Sequence, residues 1–236
     1  MNTNEIIAVI GCAIIFGFII YMLYKKFDAG DPRELEKIID KVGFPEGYRK
    51  INNKIETLKI ENLLYSLVSS SGYSADQFSI YFLFKKKETK EMYFLDAKYR
   101  LRVSDSGITF IFISAFCFPG SLDAPNMYIS SWERIGPIFE QSRVVNPVEG
   151  FNKHFRVFLR NRSKKMRLNT EIQKLLLSYC NKYPLNDNNT LIYFGKEGLI
   201  IKSAQNSEKD KLTQLCRVGE QLVEIINKSD FVGSEV

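Results

Sequence analysis

Histidine is nearly missing from this sequence: among 236 residues there is one, His154. A single imidazole excludes His-rich metal centres, the H-E-x-x-H zinc helix and acid–base schemes that pair two histidines. A Ser-His-Asp triad would have to be built on His154, and no G-x-S-x-G elbow is present to carry the serine. Phosphate-cradling loops are missing as well. Neither G-x-x-x-x-G-K-[ST] nor G-x-G-x-x-G occurs, and Gly43, Gly47, Gly195 and Gly198 stand as isolated turn glycines. Cys12, Cys117, Cys180 and Cys216 are scattered without a C-x-x-C pair, which argues against a zinc ribbon or a disulfide framework and fits a reducing compartment. No cofactor, no metal and no catalytic residue are therefore assigned. An enzyme built from scattered Asp, Glu, Lys or Cys leaves no local spacing to read, so a membrane-tethered enzyme of unrecognised type stands as the alternative function.

Charge is absent from 6–24, IIAVIGCAIIFGFIIYMLY, a run apolar on every face. At about 1.5 Å per residue such a helix just crosses a hydrocarbon core roughly 30 Å thick. The leader before it has no Lys or Arg and no A-x-A site follows, so the run predicts a retained transmembrane helix rather than a cleaved signal peptide. Lys25 and Lys26 follow directly, which by the positive-inside rule sends residues 1–5 out and keeps the C-terminal part in the cytoplasm. The expected place is a single-pass protein of a bacterial inner membrane, partnered with the lipid bilayer through 6–24.

Against those absences, the rest of the chain has enough length for one domain with a real core. Residues 25–60 predict a juxtamembrane helix and connector. Asp31-Pro32 with Glu34 caps a helix carrying Leu35, Ile38, Ile39 and Val42 at helical spacing, while 44–58 reads equally as loop or short helix. From 61 to 230 a soluble domain is expected. Short Tyr/Phe/Ile/Val-rich runs at 63–68, 78–84, 92–98, 108–116, 126–132, 137–145 and 155–159 read as strands, with 78–84 and 92–98 joined as a hairpin. Thr170 with Gln173 predicts a helix, 190–194 and 199–203 a hairpin, and Ser207 with Asp210 caps a last helix, ahead of a frayed tail at 231–236. Strands in a central run with flanking helices give an α+β domain, a mostly antiparallel sheet with packed helices, behind one N-terminal transmembrane helix.

Phe151, Phe155 and Val157, followed by a helix at 170–180 and a hairpin at 190–203, carry a resemblance. The chain resembles uncharacterised bacterial single-pass membrane proteins with a cytoplasmic mixed α/β domain. The resemblance implies that fold and topology. It implies no activity, because no catalytic residue comes with it.

One charge pattern rises above the background of 33 Lys and Arg against 27 Asp and Glu. Lys153, Arg156, Arg160, Arg162, Lys164, Lys165 and Arg167 fall in a stretch without a single acid. Alternation along a strand at 155–159 sets Arg156, Phe158 and Arg160 on one face. Two readings remain: a strip that only solubilises, or an anion-facing surface. The anion is then a lipid headgroup at the cytoplasmic leaflet or an acidic protein partner. Nucleic acid is the less supported partner, since no RNP-type motif accompanies Phe158. The function expected is a membrane-anchored cytoplasmic interaction module, with membrane-associated nucleic-acid binding third after the enzyme.

Overall fold

This computed structural model describes residues 16–18, 47–70, 75–87, 91–103, 107–122, 126–131, 140–145, 147–160, 165–182, 190–204 and 209–228. The chain divides into two units, Met1–Lys41 and Val42–Val236. Of the first, 16–18 are described, as a short helical piece with Phe16 and Phe18 exposed.

The transmembrane helix expected over 6–24 is corrected here, together with the single-pass, membrane-anchored placement that rested on it. Among the described residues no helix is long and apolar enough to cross a membrane. The longest, Lys209–Lys228, has 20 residues, but charged side chains from Asp210 to Lys228 line its outer side and only one face is buried. Apart from 16–18, the run 6–24 lies outside the described residues, as do the helix expected at 31–42 and the tail at 231–236.

The second unit is α+β, as the strand-rich centre and helical flanks predict. Its strands are β1 (Tyr48–Lys50), β2 (Ala75–Lys86), β3 (Tyr93–Val103), β4 (Gly107–Pro119), β5 (Met127–Ser130), β6 (Glu140–Val144), β7 (Arg156–Leu159), β8 (Lys165–Met166), β9 (Leu191–Gly195) and β10 (Gly198–Ala204). Its helices are α1 (Lys54–Ser70), α2 (Phe151–His154), α3 (Thr170–Lys182) and α4 (Lys209–Lys228). The strands form one open sheet in the order β1-β2-β3-β4-β10-β9-β5-β7-β6-β8. Neighbours are antiparallel throughout, except that β8 joins β6 in parallel. The hairpin β9–β10 is thus the joint of the sheet, with β10 closing on the β2–β4 meander and β9 carrying β5 to β8.

The strand expected at 63–68 is instead the second half of α1. Ile60, Leu63 and Leu64 continue one helical face and are buried, while a strand would have exposed every second residue. The start signal is Asn53, whose Oδ1 accepts the backbone N–H of Ile55 at 2.9 Å and whose carbonyl accepts that of Thr57 at 3.0 Å. Glu56 in the first turn then pairs with Lys85 of β2 at 2.8 Å, seating α1 on the sheet. The cap of α3 is likewise one residue earlier than expected. Asn169 Oδ1 accepts the N–H of Glu171 at 2.7 Å, and Gln173 is buried, donating to the Leu168 carbonyl and accepting from the Val148 N–H.

Alternation along the strands divides two apolar faces. Leu95, Ala97, Ala115, Cys117 and Ile200 pack with Ile60, Leu63 and Leu64 of α1. Phe116, between Ala115 and Cys117, points the other way and meets α4 at Gly219, where a Cβ would overlap its ring. α4 is held down at the β1 edge as well: Tyr48 Oη donates to Glu220 Oε1 at 2.7 Å, and Lys86 pairs with Glu220 Oε2 at 2.6 Å. Burial, reinforced by Cys216 and Glu220, pushes the Tyr48 phenol up, so this clamp keeps its proton across the accessible pH range. A bulge between Ile80 and Phe82 lets Phe78 and Leu83 both face α1 although they are an odd number of residues apart.

Candidate functional site

The basic run begins where Gly150, at φ 83°, turns the chain into α2. A positive φ favours glycine, and Phe151 then stacks on Phe155 with ring centroids 5.2 Å apart, both buried. Because 151–154 is a helical turn, Lys153 and His154 are exposed on it and β7 starts only at Arg156.

β7 is an interior strand, flanked by β5 and β6, so Phe158, on the face that alternation shares with Arg156, is buried rather than open. Val157, Phe158 and Leu159 are all buried, and Phe158 joins Tyr128 and Tyr193 in the core. Arg156 is half-buried, its guanidinium donating to the Asn152 carbonyl and to the Phe155 carbonyl at 3.3 Å, so it fastens the α2 turn. Arg160 is exposed at the far end of β7, about 13 Å from Arg156 by strand geometry. Arg162 and Lys164 lie outside the described residues.

What the sheet brings together is a different set. β6 runs antiparallel to β7, and its last paired residue, Ser142 opposite Val157, leaves Arg143 and Arg156 as the next positions of the two strands. β8 runs parallel to β6 with Lys165 opposite Arg143. Arg143 and Arg167 are exposed, whereas Val144 and Leu168 next to them are buried. Arg156, Arg143 and Lys165 therefore form a row across three strands at the outer edge of the sheet, with Arg167 just beyond and Lys153 on the turn before β7. Arg160 is not part of this group; it lies at the end of β6 where Glu140 stands opposite Leu159.

Arg143 is the member that the basic run does not contain. Its signal was present in 137–145, where Ser142 and Val144 alternate with Gln141 and Arg143 as buried and exposed positions. The contiguous run concealed it, since the two segments meet only through the β6–β8 pairing.

A second polar feature lies in the core. Asp96 of β3, Ser114 of β4 and Ser203 of β10 stand directly opposite one another, all buried, on the face that α4 covers. Ser114 Oγ donates to Asp96 Oδ1 at 2.5 Å, and Ser203 Oγ donates to the Ser114 carbonyl at 3.4 Å. Asp96 Oδ2 has no hydrogen-bond partner among the described residues. Burial pushes the Asp96 carboxyl up to about 7, against the opposing effect of the Ser114 hydrogen bond. Sealed from solvent, this group can hold or release a proton but cannot meet a substrate. The sequence signal was a lone acid between Phe94-Leu95 and Ala97 in an apolar strand.

Among the described residues no group of three His, Cys, Asp or Glu is placed to hold a metal ion. Cys117, Cys180 and Cys216 are buried thiols outside any disulfide, and burial pushes those of Cys117 and Cys216 up, which leaves them protonated and poor nucleophiles. An open groove between α3 and α4 is lined by Glu171, Leu175, Gln221, Glu224, Ile225 and Lys228, with both signs of charge and no converging set of like groups.

Compared with models of protein families, with curated protein sequences and with solved structures, the chain matches none of them.

Proposed function

We propose that this protein is an interaction module that binds an acidic polypeptide segment through the basic edge of its sheet. The observation that carries the reading is the row Arg156–Arg143–Lys165, gathered from three strands, with Arg167 and Lys153 flanking it. Its members come from two separate segments, and the stretch from Gly150 to Thr170 has no acid to neutralise them. Like charges set side by side repel one another, a cost that an anionic partner relieves. A polypeptide is favoured over a nucleic acid because Phe158, the aromatic residue within the run that would stack a base, is buried in the core.

The test is titration of the full chain with a labelled poly-glutamate peptide, beside an uncharged Ser-Gly peptide. Binding to poly-glutamate alone, weakening as salt rises, is expected. The triple variant Arg143→Glu, Lys165→Glu, Arg167→Glu is expected to lose on the order of 2 kcal/mol, about thirtyfold in affinity, with the urea midpoint nearly unchanged. Equal binding by the variant refutes the reading. Tighter binding of single-stranded RNA, or of anionic vesicles, that the triple variant abolishes would transfer the edge to that ligand instead.

A further inference from the structure

Among the described residues of the second unit, the outer side of α1 carries the large exposed apolar side chains: Ile55 at 78 %, Leu58 at 48 % and Tyr65 at 37 % exposure. With exposed Asn62 they recur at 55, 58, 62 and 65, a stripe on the side of the helix opposite Ile60, Leu63 and Leu64. The inner face of α1 is therefore used by the core and the outer one is a second apolar seam. Tyr65 is already fixed by its edge-on contact with Phe78, ring centroids 4.7 Å apart, so covering it costs little side-chain entropy.

The charges beside the seam say what fits it. Lys54, exposed, and Glu61, half-buried, lie on one flank two turns apart; Lys59 lies on the other, already paired with Glu91. We infer that the seam is covered by α1 of a second copy of this chain, lying antiparallel across a two-fold axis at Leu58. In that arrangement Leu58 meets Leu58 of the partner, Ile55 packs beside the partner's Asn62, and Lys54 faces the partner's Glu61 twice over, once for each copy. The parallel alternative sets Lys54 against the partner's Lys59, a contact of like charges. The pairing on Glu91 limits repulsion between the two Lys59 side chains in the antiparallel arrangement. One helix pair covers less surface than a stable dimer needs, so the association is weak and concentration-dependent.

Sedimentation velocity on the full chain over a concentration series tests this. A monomer–dimer equilibrium is expected. Leu58→Glu raises the dissociation constant at least tenfold, and Lys54→Glu weakens the dimer severalfold. The double variant Lys54→Glu, Glu61→Lys restores it, because the exchange re-forms both ion pairs. Far-UV circular dichroism and urea midpoints of Leu58→Glu and Lys54→Glu should match those of the parent, since these two side chains face solvent in the monomer, and the double variant should keep the parent's helical signal. A chain that stays monomeric throughout overturns the inference and leaves the seam to a different protein. A dimer indifferent to Leu58→Glu, or one that the charge exchange does not restore, overturns it equally.

Discussion

Asp96→Asn is expected to stabilise the fold clearly near pH 8 and to change it little near pH 4, an inversion of the usual effect of altering a core residue. The folded carboxyl is pushed up to about 7 from an ordinary value of 3.8, so the native state keeps its proton where the unfolded chain has lost it. Between those limits the native state binds more protons, and stability falls as pH rises; below the lower one nothing is lost, and above the upper one the loss is complete. Three pKa steps correspond to on the order of 4 kcal/mol, and leaving one amide group without a partner returns about 1 kcal/mol of that. The net gain from asparagine above pH 7 is therefore on the order of 3 kcal/mol. Urea midpoints of parent and variant across the pH range measure it. The parent should decline relative to the variant between pH values of about 4 and 7, then run parallel to it. A constant difference between the two proteins at every pH would show that the Asp96 carboxyl has the same pKa in the fold as in the unfolded chain.

Gly198→Ala is expected to destabilise by about 3 kcal/mol or more, because two costs coincide there. Gly198 has φ 144°, a conformation that side-chain-bearing residues rarely adopt. A Cβ at that position would overlap the Phe118 carbonyl oxygen and crowd its carbon at 3.1 Å, and these are backbone atoms of a paired strand rather than the end of a flexible side chain. The position is where β10 meets both β9 and β4, through Gly195 and Pro119, so strain there acts on the joint between the two halves of the sheet. Gly47 is the internal control: its φ is 91°, yet nothing lies within 4 Å of its added Cβ. Gly47→Ala should therefore cost only about 1 kcal/mol. Equal losses for the two variants, read from urea unfolding, would contradict this placement of the hairpin.

The β2–β4 meander, the β9–β10 hairpin and helices α3 and α4 were legible in the sequence because each keeps one period between clear turn signals. α1 was not. Its apolar cluster at 63–68 is rich enough in Leu, Val and Tyr to imitate a strand, and the deciding residue, Asn53, precedes it by ten positions. The bulge at Ile80 and Phe82 was equally hidden, since it changes the alternation without changing composition. The basic edge, as an arrangement of residues, was half legible. Local spacing gave Lys153, Arg156, Lys165 and Arg167, but it also grouped them with Arg160, which β7 carries away. Arg143 joins only through the register of β6 and β8, a long-range pairing that local spacing does not encode.

That difference between the run and the edge is the most direct point to measure. Arg143→Glu and Arg160→Glu make the same charge change, one outside the basic run and one inside it. Poly-glutamate affinity of the two single variants, titrated side by side at one salt concentration, separates a folded basic edge from a merely basic segment. Arg143→Glu is expected to weaken binding by about fivefold, on the order of 1 kcal/mol, and Arg160→Glu to leave it within experimental scatter. Weakening by Arg160→Glu with no effect of Arg143→Glu would contradict a site assembled by β6, β7 and β8.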